Sequence, residues 1–197
     1  MNEPPKPPKR IQKIVGDQYF EDFKVGDVFG TESATFNEAE IIAFAKLYDP
    51  QSFHVDPVAA KSNQYGGLIA SGWQVGCITF RKLIDAGFLR GGGMGSLGLD
   101  EVRWHKPVRP GDTVYLTASC AAIRPSTTRS DRGYADFTLE VWNQKDERVM
   151  SYKAVKLYER AGALAPDDPA VLAGLGEAYL SLGRAEAALG KFERALE

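Results

Sequence analysis

SGWQVGCITFRKLIDA, residues 71–86, is apolar on most sides as far as Phe80 and is closed by Gly87. A helix lying on a protein surface carries one apolar stripe and one polar face, so this run reads as a helix wrapped by other structure. The wrapping follows it. Residues 97–108, 113–123, 134–144 and 148–157 are β-rich runs, separated by turn signals at Arg109-Pro110-Gly111-Asp112, near residues 130–133, and at Lys145-Asp146-Glu147. In the third run Ala135, Phe137, Leu139 and Val141 alternate with Asp136, Thr138 and Glu140, the period of a sheet with one buried face. The class predicted is α+β, an antiparallel sheet curled around one central helix. Gly91 to Gly95 does not follow a strand and open a helix as a phosphate cradle would, and is predicted to be a mobile loop.

Outward from that core, Val25-Gly26-Asp27 marks a turn into a strand-like run over 28–36. Asn37 then offers a helix cap with Glu40 three residues on, and Ile41, Ile42, Phe44, Ala45 and Tyr48 supply an apolar helical face. That helix is predicted to stop at Asp49, because Pro50 pushes the residue before it out of the α region. Asp56-Pro57 reads as a second cap, with a short helix through Ala60. Residues 1–16, rich in Pro and Lys and without apolar period, read as a disordered arm with no assigned function. The body is then 17–160. From Ala161 the composition shifts to Ala, Leu, Gly and Glu. Leu172, Leu175, Gly176, Tyr179, Gly183, Ala188, Phe192 and Ala195 fall at the spacings of a tetratricopeptide repeat. This predicts a single α-helical hairpin over 161–197, cut from a longer array, fused, docked on the body, or pairing with a partner or another copy.

The chain has 197 residues, 44% hydrophobic, enough for one domain of about 150 residues plus an appendage. Its 24 basic and 26 acidic residues form no dense basic stripe, which argues against a nucleic-acid partner. Cys77 and Cys120 stand apart without His neighbours at metal spacing, so no metal and no disulfide is expected. No apolar run is long enough for a membrane span, and the N-terminus lacks the apolar run of a signal peptide, so a cytoplasmic protein is expected.

Residues 48–56, Tyr-Asp-Pro-Gln-Ser-Phe-His-Val-Asp, carry the chemistry. An Asp followed five positions later by a His, then Asp56 and Ala59, and the loop Gly66-Gly67-Leu68-Ile69-Ala70-Ser71-Gly72, resemble the MaoC-like, R-specific enoyl-CoA hydratase family over roughly residues 19–159. The resemblance implies a hot-dog fold, usually dimeric or in a higher homo-oligomer. It also implies hydration of a trans-2-enoyl thioester, CoA-linked or carrier-linked, or the reverse dehydration, without a further cofactor. It makes Asp49 and His54 the catalytic pair, Gly72 the backbone donor to the thioester oxygen, and Ser71, Gly67 and Gln51 substrate-binding residues. The commoner family pattern has Asn where this chain has Gln51, and His where it has Ser71.

Those residue types suit the reaction. Adding water across a double bond conjugated to a thioester needs a base for the water, an acid for the α-carbon, and donors for the developing enolate oxygen. Asp49, at a helix C-terminus, is expected to have a raised pKa because the macrodipole disfavours a carboxylate there. His54 lies past a proline turn, able to face the same water. Gly72 opens the central helix with its N–H and lets a substrate come close. By contrast, an Asp before Pro is by itself an ordinary turn former, and His105, without an acidic partner, reads as a sheet-surface residue. Arg103, Lys106 and Arg109 read as a solvated edge or as a steering patch for an anionic carrier. A thioesterase on the same fold, and a non-catalytic dimeric scaffold with a peptide-binding repeat, are the competing readings.

Overall fold

The computed structural model describes residues 5–14, 16–161 and Leu189. The repeat expected over 161–197 lies outside the described residues apart from Ala161 and Leu189. Six strands form one sheet: β1 (Val28–Gly30), β2 (Ala34–Thr35), β3 (Gly93–Trp104), β4 (Thr113–Pro125), β5 (Arg132–Asn143) and β6 (Arg148–Glu159). Its order is β1-β4-β5-β6-β3, with β2 also on β4, and every pairing is antiparallel. Within residues 16–161 the α-helices α1 (Glu38–Tyr48), α2 (Ser52–Val55) and α3 (Gly72–Asp85) accompany it.

The local signals explain most boundaries. Asn37 caps α1 by accepting from the Glu40 N–H, and α1 ends at Asp49 ahead of Pro50. Ser71 caps α3 by accepting from the Trp73 N–H, and Gly87 turns the chain out of it at φ +90°. On β5 the alternating side chains Ala135, Phe137, Leu139 and Val141 are all buried. They meet Val75 and Leu83 of α3 in one core, closed by aromatic edges of Phe23, Phe29, Phe88 and Phe137 and by Tyr158, whose hydroxyl donates to the Phe88 carbonyl.

Several expectations change. The run over 28–36 is two short strands, not one. The helix expected at Asp56-Pro57 is a 3-10 turn, Ala59–Ser62, and Asp56 caps its approach as expected, accepting from the Val58 and Ala59 N–H groups. His54 sits in a helical turn, α2, that the sequence did not announce. The glycines at 93 and 95 belong to β3, paired with Tyr158 and Leu157, so this stretch is strand and not loop. The N-terminal arm, expected to be unstructured, is tied to β1: the Gln12 N–H donates to the Val28 carbonyl, its amide donates to Asp27, and Ile11 fills the space beside Gly30.

The central helix is not fully wrapped. Trp73, Phe80 and Ile84 on α3 remain 58%, 40% and 39% exposed, and Leu97, Leu99 and Trp104 on the edge strand β3 remain exposed beside them. The two sets meet where the Trp73 and Trp104 rings approach to 5.4 Å.

Candidate active site

The cap that ends α1 places the Asp49 side chain against the start of α3. Its Oδ2 accepts from the Ser71 hydroxyl at 2.6 Å and its Oδ1 from the Gln51 amide at 2.7 Å. One helical turn later His54, only 4% exposed, brings Nε2 to 3.3 Å from the same Oδ2. The other ring nitrogen, Nδ1, lies 2.8 Å from the Ile69 carbonyl oxygen. A carbonyl only accepts, so Nδ1 carries a hydrogen, and Nε2 is the ring nitrogen turned to Asp49, bare whenever the ring is neutral. The link is held from both sides, because the Ile69 N–H donates back to the Phe53 carbonyl at 3.1 Å.

Burial pulls the Asp49 carboxyl upward, but the hydrogen bonds from Ser71 and Gln51, joined by the charge of His54 when its ring is protonated, outweigh it, and the net pKa is lowered. This corrects the raised value expected from the helix dipole: two donors in contact act more strongly than a partial charge spread over a helix end.

Asp49, Gln51, His54 and Gly72 line one cavity of about 430 Å³, together with Trp73 and Trp104. Gly72 is the first residue of α3, where its N–H has no acceptor within the helix. A side chain there would overlap the Trp104 indole, so the close neighbour at this glycine is Trp104. Ser71 is fully buried and touches Asp49 instead of the cavity. Gly67 is not on the cavity wall; it sits at φ +155° beside the Arg109 guanidinium, which donates to the Tyr65 carbonyl. The six residues expected at the site thus divide into four on the cavity wall, one behind Asp49, and one outside.

Sequence reading missed His105, which lines the cavity and faces the Ser151 hydroxyl at 2.8 Å. Burial, reinforced by Arg148, lowers its pKa. Only the pairing of the strands brings residue 105 near residue 54, and no local motif marks it. Among the described residues, no group of three His, Cys, Asp or Glu side chains is arranged to hold a metal ion.

A family model for the MaoC-like domain matches residues 22–139, and one for a tetratricopeptide repeat matches residues 153–197, beginning within β6. The structure of a MaoC-like dehydratase from Rhodospirillum rubrum is 38% identical, with a TM-score of 0.68 over 73% of this chain and 97% of that one. An (R)-hydratase from A. caviae involved in PHA biosynthesis is 25% identical, with a TM-score of 0.58 over 70% of this chain and 98% of that one. A conserved hypothetical protein of Mycobacterium tuberculosis with a double hot-dog fold superposes at 0.61 and 18% identity over 74% of this chain and 45% of that one, a likeness of fold alone. The sheet curled around α3 is this hot-dog architecture, and the chain belongs to the MaoC-like domain family.

Proposed function

We propose that the protein adds water to a trans-2-enoyl thioester, or removes it from the 3-hydroxyacyl thioester. The observation that carries the reading is the 3.3 Å approach of His54 Nε2 to Asp49 Oδ2 on a cavity wall, with Nδ1 committed to a carbonyl. A water on the cavity side of the two acceptors can donate to either of them, so the pair can hold it and take its proton. Its lone pair is then directed away from the two side chains, at a carbon held in the cavity. In hydration the water oxygen bonds to the β-carbon and the pair takes one water proton. The double-bond electrons move toward the thioester oxygen, where the Gly72 N–H stabilises the enolate. The pair then returns a proton to the α-carbon, so the sum is one water added and no redox change. Ser71 and Gln51 keep Asp49 ionised, the state this step needs.

The family and the named hydratase structure support this reaction class. The acyl chain and its carrier belong to the proposal. A homodimer also belongs to it: the open face of α3 and the edge strand β3 form an apolar surface of the kind that a second copy covers. The test is loss of the conjugated enoyl-thioester absorbance on crotonyl-CoA and longer homologues, with free thiol followed in parallel. Loss of absorbance without thiol release is expected. Thiol release at the same rate would establish a thioesterase, and inertness toward every chain length would favour the scaffold reading.

A further inference from the structure

Arg109 stands in the connection between β3 and β4, where its sequence context reads as a solvated edge, yet it is half-buried. Its guanidinium turns onto the loop that precedes α3. Nη2 donates to the Tyr65 carbonyl, and Nη1 lies 3.3 Å from where a Cβ on Gly67 would sit. Among the described residues the guanidinium has no carboxylate partner. A cation drawn out of water onto one backbone carbonyl holds that carbonyl by a charge-assisted hydrogen bond.

The loop so held carries the partner of His54. At its near end the Tyr65 N–H donates to Asn63 Oδ1 at 2.7 Å, and the Gly66 N–H to the Asn63 carbonyl at 3.0 Å. At its far end the Ile69 N–H donates to the Phe53 carbonyl and the Ala70 N–H to the Val108 carbonyl. Between those ends neither Gly67 nor Leu68 donates a backbone hydrogen bond among the described residues. Gly66 and Gly67 take φ of +65° and +155° there, values that glycine adopts without steric cost. Residues 108 and 109 therefore clamp this unbonded stretch from both sides, one by its carbonyl and the other by its guanidinium. A second route to His54 runs through the rings: Tyr65 packs 5.3 Å from Phe53, and Phe53 packs 4.4 Å from the imidazole.

Resting on the Asp49–His54 reading, we infer that Arg109 is a positioning residue for His54. By holding Tyr65 it keeps the Gly66-Gly67 turn in place, so that the Ile69 carbonyl stays on Nδ1 and the Phe53 ring stays against the imidazole. The Nδ1–H tautomer depends on that carbonyl, and with it the bare Nε2 that takes the proton from water. Gly67, off the cavity wall, has its place in the same device: a side chain there would meet both an unfavourable φ and the guanidinium.

The test reads the His54 ring directly as well as the rate. The chain has two histidines, so ring ¹⁵N spectra of the full-length protein hold two imidazoles, and His105→Gln assigns them. Arg109→Ala and Gly67→Ala are each expected to lower kcat on an enoyl thioester roughly tenfold to 10²-fold, the scale of a small misplacement at a reacting centre. Each should also give the neutral His54 ring a measurable Nε2–H population that the parent lacks. Guanidinium ion below denaturing concentration, against sodium chloride at equal ionic strength, should restore the rate and the tautomer in Arg109→Ala and neither in Gly67→Ala. Should Arg109→Ala fail to fold, Arg109→Lys, which keeps the charge and loses the planar fork, carries the same measurement. An unchanged His54 tautomer in the folded variants, whatever their rate, would overturn the inference. A tautomer shift in variants of a parent that hydrates no enoyl thioester would support the clamp and overturn the thioester reading alone.

Discussion

At the scale of single residues, the site turns on which atoms remain free once the structural hydrogen bonds are made. Asp49→Asn removes the proton acceptor and His54→Ala the second contact, and each is expected to lower turnover by roughly 10²-fold to 10⁴-fold. The double variant should be little worse than the worse single one, because groups acting on one water are not additive. Steady-state rates on enoyl-CoA check both. Ser71 is a positioning residue with its own signature. Its hydroxyl helps to hold the Asp49 carboxyl below the ordinary carboxylate value. Activity that needs ionised Asp49 therefore falls as pH drops through that lowered value, and Ser71→Ala should move the acid limb of kcat to higher pH. An unmoved limb with a lowered rate would assign Ser71 to packing alone. The same depressed carboxyl contributes stability that is present above the unfolded Asp value and lost as pH falls through the folded one. Asp49 and His54 were legible in sequence because their spacing is local. The lowered carboxyl was not, since Ser71 lies 22 residues away and only the fold brings its hydroxyl to Oδ2.

Among the elements, α3 was legible from its composition and Ser71 cap, and β4, β5 and β6 from alternation and turns. α2 was not, because four residues carry too little periodicity to stand out. On β6, Lys156 points into the core side of the sheet, 3% exposed, with its ammonium 5.0 Å from the centre of the Phe80 ring. Burial lowers its pKa. The unfolded chain binds the proton more tightly, so stability should rise with pH from the lowered folded value toward the ordinary lysine value. Lys156→Met is expected to stabilise the protein by about 1 kcal/mol at neutral pH, with the gain shrinking near pH 10. Urea midpoints of both chains at the two pH values check this. A constant difference would mean that folding leaves the Lys156 pKa unshifted. At the head of α3, Gly72→Ala should displace the Trp104 indole and raise KM for the thioester, which Trp104→Ala in the same chain should partly relieve.

Across the whole molecule, the open α3 face and the β3 edge predict a dimer at micromolar concentration by sedimentation, and a monomer there would remove that proposal. Deleting residues 161–197 should leave hydration intact while changing association or solubility, because Asp49, His54 and Gly72 all precede the deleted segment. A folded but inactive truncation would show that the tail completes the site. The sequence by itself determined the α+β class, the central helix, the long strands and the Asp49–His54 pair, because these rest on period, caps and spacing within a few residues. Tertiary structure alone decided that Ser71 serves Asp49, that Gly67 stands apart, and that His105 joins the cavity. It also brought a lysine-bearing N-terminal arm opposite the β5–β6 turn, because contacts between residues distant in sequence are set by strand register and by the docking of one element on another.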